Sequence, residues 1–209
     1  MHKPRRRKNS FRTFATPVIA GKHKGKAVEI PAVSTTRSSK AILRESLFNT
    51  LQFDLMDKPF VEVFAGSGSV ALEAVSRGAS HAWCIEKNPA VYKILRANVE
   101  RIAPGEITTI RGDSFEEFEG VYREAIAGGE RAFFYFDPPF SIREGMEEIY
   151  DATITLLERI EPEHCETAIV EHMTRVDLPE SIGALRLEKK KRFGKSSLSY
   201  YRPAESDEA

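Results

Sequence analysis

Between residues 58 and 172 the chain alternates two hydrophobic periods. Short apolar runs of strand length occur at FVEVF (60–64), HAWCIE (81–86), ITTIRG (107–112), RAFFYF (131–136) and TAIVEH (167–172). Between them, VALEAVSRG (70–78), NPAVYKILRANVERI (88–102) and IREGMEEIYDATITLLERI (142–160) carry apolar residues at helical spacing. Gly78 predicts the stop of the first helix, and Pro89 suits the first turn of the second. DSFEEFEGVYREAIAGGE reads as a helical or irregular excursion ending at Gly128-Gly129. RAFFYF is continuously apolar, as a strand covered on both faces must be. At least four strand–helix alternations predict an α/β fold: a mostly parallel sheet with helices on both faces.

The flanks have another character. VIAGKHKGKAVEIP (18–31) alternates loosely around Gly21 and Gly25 and predicts a short β-hairpin. AVSTTRSSK is polar and loop-like. Ser38 or Ser39 then caps a helix over 41–55 whose apolar face is Ile42, Leu43, Leu47, Phe48, Leu51 and Leu55. Residues 184–202 predict a hairpin turning near Gly194. The expected organisation is a basic tail (1–17), a hairpin-and-helix extension (18–57), a main domain (58–203) and an acidic tail (204–209).

Composition narrows the class. A chain of 209 residues with 41% hydrophobic content suits one domain with a sizeable core. The formal net charge of +0 conceals a basic N-terminal stretch, without an acid through Lys26, and an acidic AESDEA end. The basic arm either neutralises a polyanion or merely solubilises. Cys84 and Cys165 are the two cysteines and form no close pair, so neither a zinc nor a redox site is expected, and a reducing cytoplasm is the expected location. No apolar run reaches membrane-spanning length, so no membrane partner is expected; the chain is expected to act as a monomer.

In such a fold, ligands bind beyond the C-terminal strand ends. The informative loops follow Phe64, Glu86, Gly112, Phe136 and Glu171. FAGSGS offers Gly66 and Gly68 for a tight turn and close approach to a ligand, but lacks the Lys-Ser/Thr of a phosphate-binding loop. Glu86, about twenty residues on, can accept ribose hydroxyls. Phe64, Ala65, Gly66, Gly68, Glu86, Lys87, Asp113 and Ser114 are therefore candidate residues for a nucleoside cofactor, dinucleotide or S-adenosylmethionine alike. Glu86 can equally cap the helix at Asn88, and Asp113 can equally cap its own helix. The fourth strand delivers Asp137, Pro138, Pro139 and Phe140. The prolines stiffen the turn. A carboxylate and a proline carbonyl can accept the two hydrogens of an amine, orient its lone pair and favour the charge that develops on it; Phe140 can stack on a base.

These motifs resemble those of the S-adenosylmethionine-dependent methyltransferases, and within them the RsmD family of small-subunit ribosomal RNA guanine-N2 methyltransferases. FVEVFAGSGSVALEAVSRGA resembles that family's first motif, FDPPF its catalytic motif, VIAGKHKGKAVEIP its N-terminal hairpin, LRESLFNTL the helix before its sheet and KKRFGKSSLSYY its closing strands. The resemblance spans roughly residues 18–202. It implies a Rossmann-like class I sheet of seven strands, the last antiparallel, with S-adenosyl-L-methionine as cofactor. It implies transfer to guanine N2 of 16S RNA, on naked RNA or a 30S assembly intermediate. DPPF is shared with DNA amino-methyltransferases, so adenine N6 of DNA or RNA is the alternative target. Arg12, Lys22, Lys24, Lys26, Arg37, Arg44, Lys191 and Arg192 are candidate RNA contacts. His172 is a weaker one, and His23 sits in the basic hairpin. The chain departs from the family at Ser38-Ser39 and Ala41-Ile42, where members carry Pro-Thr and Asp-Arg.

Overall fold

The computed structural model describes residues 13–32, 37–139 and 148–204, with 37–39 described by backbone alone. Strands β1 (Thr13–Pro17) and β2 (Ala27–Pro31) pair antiparallel as a separate ribbon. Helix α1 (Arg37–Leu51) leads to the main sheet. That sheet is built from β3 (Phe60–Glu62), β4 (Ala82–Ile85), β5 (Ile107–Ile110), β6 (Ala132–Phe136), β7 (Cys165–Met173), β8 (Ser181–Ile182), β9 (Leu185–Phe193) and β10 (Ser196–Pro203). Its helices are α2 (Ser69–Ser76), α3 (Pro89–Ile102), α4 (Ser114–Ile126) and α5 (Glu148–Leu157), with a 3₁₀ turn at Pro162–His164.

The strand order is β5-β4-β3-β6-β7-β10-β9-β8. The sheet is therefore eight-stranded and mixed, where seven strands were expected. β5 through β7 are parallel. β10 runs antiparallel to β7 and β9, and β8 antiparallel to β9. The additional strand is β8, whose two residues are too few to leave a periodic signature. Gly194, at φ 61°, makes the tight turn that sends β10 back between β7 and β9.

The apolar run of β6 explains itself in the packing. Phe133 and Tyr135 enter a core layer with Leu47, Phe48, Leu72 and Leu95 from α1, α2 and α3. Phe134 and Phe136 enter the opposite layer with Phe118, Tyr122 and Leu156 from α4 and α5. Successive side chains alternate across a strand, so a strand with helices on both faces has no polar side to show.

Other boundaries differ from expectation for identifiable reasons. Thr13–Pro17 is a strand rather than tail; it is mostly exposed and carries no alternation. The expected hairpin strands thus lie at both ends of residues 13–31, with 18–26 as the connection. α1 starts four residues before the predicted position and ends at Leu51, while Leu55 still packs in the core after a turn. Residues 142–147 of the predicted helix lie outside the described residues. The Asn88 carboxamide caps α3 by accepting from Ala90 and Val91 N–H at 2.9 and 3.2 Å. β3 lies between β4 and β6, so chain order reverses at its carboxyl end. That is the switch point where an α/β sheet opens a crevice.

Candidate active site

The site begins with the loop that leaves β3. Gly66 and Gly68 have φ of 54° and 75°, a left-handed backbone that disfavours any side chain. A Cβ on Gly68 would collide with Leu95 Cδ1, whereas one on Gly66 would meet nothing within 4 Å. Gly68 is thus packed against α3, and Gly66 faces open space where a ligand can approach the backbone. Phe64 meets Phe115 edge-on at 5.5 Å, and Ala65 donates its N–H to the Ile85 carbonyl at 2.9 Å.

Glu86, at the end of β4, is bound to that loop. Its carboxylate accepts from Gly66 N–H at 2.9 Å and Asn88 N–H at 2.6 Å. Burial raises its pKa, and the backbone donors oppose that shift. Glu86 therefore shapes the glycine loop and opens the next helix at once. Asp113 accepts from Phe115 N–H at 3.1 Å as the cap of α4 and forms an ion pair with Lys87. The lysine hydrogen bond, the largest influence, holds the Asp113 carboxyl below its ordinary range. Ser114 is buried and donates to the Val63 carbonyl, tying α4 to the end of β3.

Asp137 stands at the end of β6, half-buried, with Pro138 buried and Pro139 exposed. Its Oδ2 accepts from Lys40 Nζ at 2.7 Å. The same ammonium reaches Glu171 Oε1, near the carboxyl end of β7, at 2.8 Å. The Tyr135 hydroxyl donates to Glu171 Oε2 at 2.6 Å. Phe140 lies outside the described residues.

Two acids and a lysine complete this set, and of them the sequence marked only Glu171, as the end of a strand whose loop is informative. Lys40 sits in a stretch whose polarity reads as loop. Glu171 lies two residues before the end of β7, and no motif gives it a role. Glu62 is an acid inside β3, 3% exposed, accepting Ala71 N–H at 2.9 Å and lying near the Cys84 thiol. Burial pushes its pKa up to about 8, with Asp137 adding to the rise. The available signal was an acid in the middle of FVEVF, a position an apolar residue should hold.

The basic residues divide. Arg44 was expected to face RNA but is 5% exposed, donating to the Pro17 carbonyl at 2.8 Å and facing the buried Glu73. Helical spacing turns it toward α2, not solvent. Lys22 pairs with Glu106 at 2.6 Å, Lys26 donates to the Ile102 carbonyl at 3.0 Å, and Lys24 is exposed. Lys191 donates to the Thr50 hydroxyl at 2.6 Å, whereas its neighbour Arg192 is exposed on the opposite face of β9. The cluster read from sequence is thus split by strand alternation. Arg12 and the Arg37 side chain lie outside the described residues. His172 is fully buried between Ser199 and the Met173 carbonyl and contacts no solvent. His23 lies 3.1 Å from Glu106.

A family profile described as conserved hypothetical protein 95 matches residues 16–202. The chain belongs to this family. Among curated relatives, "Putative rRNA methyltransferase YlbH" of Bacillus subtilis is 26% identical over 187 residues, 88% of this chain and 97% of that one. "Ribosomal RNA small subunit methyltransferase D" of Escherichia coli K12 is 32% identical over 141 residues, 68% of this chain and 66% of that one. Among solved structures, "Putative methyltransferase yhhF" from Escherichia coli superposes with a TM-score of 0.70 at 25% identity, covering 92% of this chain and all of that one. Fold and relatives together make the chain a class I S-adenosylmethionine-dependent methyltransferase, related to the RsmD group at family level. The residues at the strand ends fit that cofactor: a glycine loop open at Gly66, with a carboxylate beside it.

Proposed function

We propose that this enzyme methylates the exocyclic N2 amine of a guanine in small-subunit ribosomal RNA. The observation that carries the reading is Asp137. It is a half-buried carboxylate one strand over from the glycine loop, followed by a proline turn. The names of the relatives support RNA, and for one of them the small subunit, as the substrate class.

In this reading Gly66 admits the cofactor to the backbone, Gly68 holds the loop against α3, and Glu86 accepts the ribose hydroxyls. Lys87, Asp113 and Ser114 border its adenine. Bound there, S-adenosylmethionine supplies an electrophilic sulfonium methyl group. The chain's own residues do the rest. An aromatic amine is a poor nucleophile because its lone pair is delocalised into the ring. Asp137 and the Pro138 carbonyl each accept one of its hydrogens, which turns the lone pair out of the ring plane. The negative carboxylate favours the positive charge growing on nitrogen, and Asp137 takes the departing proton. Pro138 and Pro139 hold these acceptors in one geometry, so the rate comes chiefly from alignment. Phe140 stacks on the base, while Arg12, Lys24, Arg37 and Arg192 neutralise phosphates.

The test is product mapping. Purified enzyme with labelled S-adenosylmethionine and undermethylated small-subunit particles is expected to place label on N2 of one guanine. Label confined to adenine N6, or to DNA, overturns the assignment.

A further inference from the structure

Beside Asp137 stands a second carboxylate that amine orientation does not require. Glu171 is 1% exposed and shares the Lys40 ammonium with Asp137 at 2.8 and 2.7 Å. The charged and titratable groups around the pair come from five elements. Lys40 and Arg44 come from α1, Glu62 from β3, Tyr135 and Asp137 from β6, Tyr150 from α5 and Glu171 from β7. Of these, Lys40 is the cation in contact with both carboxylates, since Arg44 pairs with Glu73 instead.

Two carboxylates this close do not both ionise unless a cation compensates. Burial raises the Glu171 pKa and Asp137 raises it further, while Lys40 and the Tyr135 hydroxyl oppose. Lys40 itself is held above the ordinary lysine range, because the two acids outweigh its own burial. Even with the ammonium in place the Glu171 carboxyl is pushed up to about 7, and without it the proton is held further into the alkaline range. A proton held by the pair draws negative charge from Asp137 and weakens it as an acceptor for an incoming amine.

We propose that Lys40 is a positioning residue for methyl transfer: by bridging Asp137 Oδ2 and Glu171 Oε1 it favours the ionised form of the pair and leaves Asp137 Oδ1 to accept the amine. The inference rests on the reading of Asp137 as the amine acceptor. It also gives a role to a residue in the stretch where this chain departs from its family.

The pH profile of kcat separates this role from a merely structural one. Lys40→Met is expected to lose about tenfold in kcat at neutral pH and to regain it on the alkaline side, its acid limb moved up by about one unit or more. Lys40→Arg keeps the wild-type limb. The double variant Lys40→Met/Glu171→Gln removes the second titrating acid and recovers neutral activity. A Lys40→Met profile that overlays wild type, or one lowered equally at every pH and not restored by Glu171→Gln, overturns the proposal. A second readout needs no RNA. Carboxyl-carbon NMR titration of the free enzyme is expected to move the Glu171 midpoint upward in Lys40→Met, and an unmoved midpoint equally overturns the bridge. If wild type methylates no guanine amine, the substrate assignment fails while this titration still reports on Lys40.

Discussion

At the scale of the residue, the site is a set of acids doing separate work. Asp137 is the group whose loss should affect turnover alone. Asp137→Ala is expected to lower kcat by about a hundredfold or more while S-adenosylmethionine affinity, measured by calorimetry, stays as in wild type. Unchanged turnover would remove Asp137 from the amine site. Glu62 should show itself in stability instead. Its pKa in the folded protein is about 8 against an ordinary 4.5, so the native state holds the proton more tightly than the unfolded chain. The contribution is fully present below about pH 4.5 and is lost as pH rises through 8, at about 1.4 kcal/mol per unit. Glu62→Gln keeps an acceptor for Ala71 N–H and removes the titration. Its denaturant-derived stability is expected to fall less between mildly acidic and mildly alkaline pH than wild type does. Parallel curves would show that Glu62 ionises freely in the fold.

At the scale of the element, the N-terminal ribbon is joined to the glycine loop by one buried side chain. Asn98 on α3, 1% exposed, accepts Glu29 N–H at 3.0 Å and donates to the Glu29 carbonyl at 2.8 Å. It also donates to the Ser67 carbonyl, inside the glycine loop, at 3.0 Å. Glu73 on α2 makes a matching tie, accepting the N–H groups of Ile19 and Ala20 at 2.7 and 3.0 Å. Asn98→Ala leaves several backbone groups without a partner and should cost about 2–3 kcal/mol of stability, with weakened cofactor binding. A variant as stable as wild type would mean that water replaces the amide. These ties also mark what could be read in advance. The β3-to-β7 strands and the helices between them were legible because buried strands and two-faced helices impose strong periods. The ribbon was only half legible: β1 is exposed, and what fixes the ribbon and its connection is Asn98, Glu73 and Arg44, polar residues distant in sequence. Lys40 was illegible for the same reason, since its partners Asp137 and Glu171 lie on β6 and β7. The glycine loop, Glu86 and Asp137 were legible because each ends a strand that periodicity located.

At the scale of the whole molecule, a formal net charge of +0 leaves no uniform field to attract a nucleic acid. Any hold on a polyanion must come from charge placed locally. Several basic residues that looked available are engaged: Arg44 is buried, Lys22 pairs with Glu106 and Lys191 rests on Thr50. Much of the remaining positive charge is in residues 1–12, where Lys3, Arg5, Arg6, Arg7, Lys8 and Arg12 occur with no acid. Each phosphate neutralised releases condensed counterions, so the logarithm of affinity falls with the logarithm of salt in proportion to the number of phosphates neutralised. Removing residues 1–12 is therefore expected to weaken RNA binding most at low salt and to flatten that slope by about one unit for each phosphate the arm had neutralised. Binding isotherms of the full chain and the truncated chain on one small-subunit RNA, across a salt series, give both slopes. Equal slopes would move the electrostatic hold off the arm and onto exposed folded-domain residues such as Lys24 and Arg192. In that case, charge reversal at those two positions should reduce the slope instead.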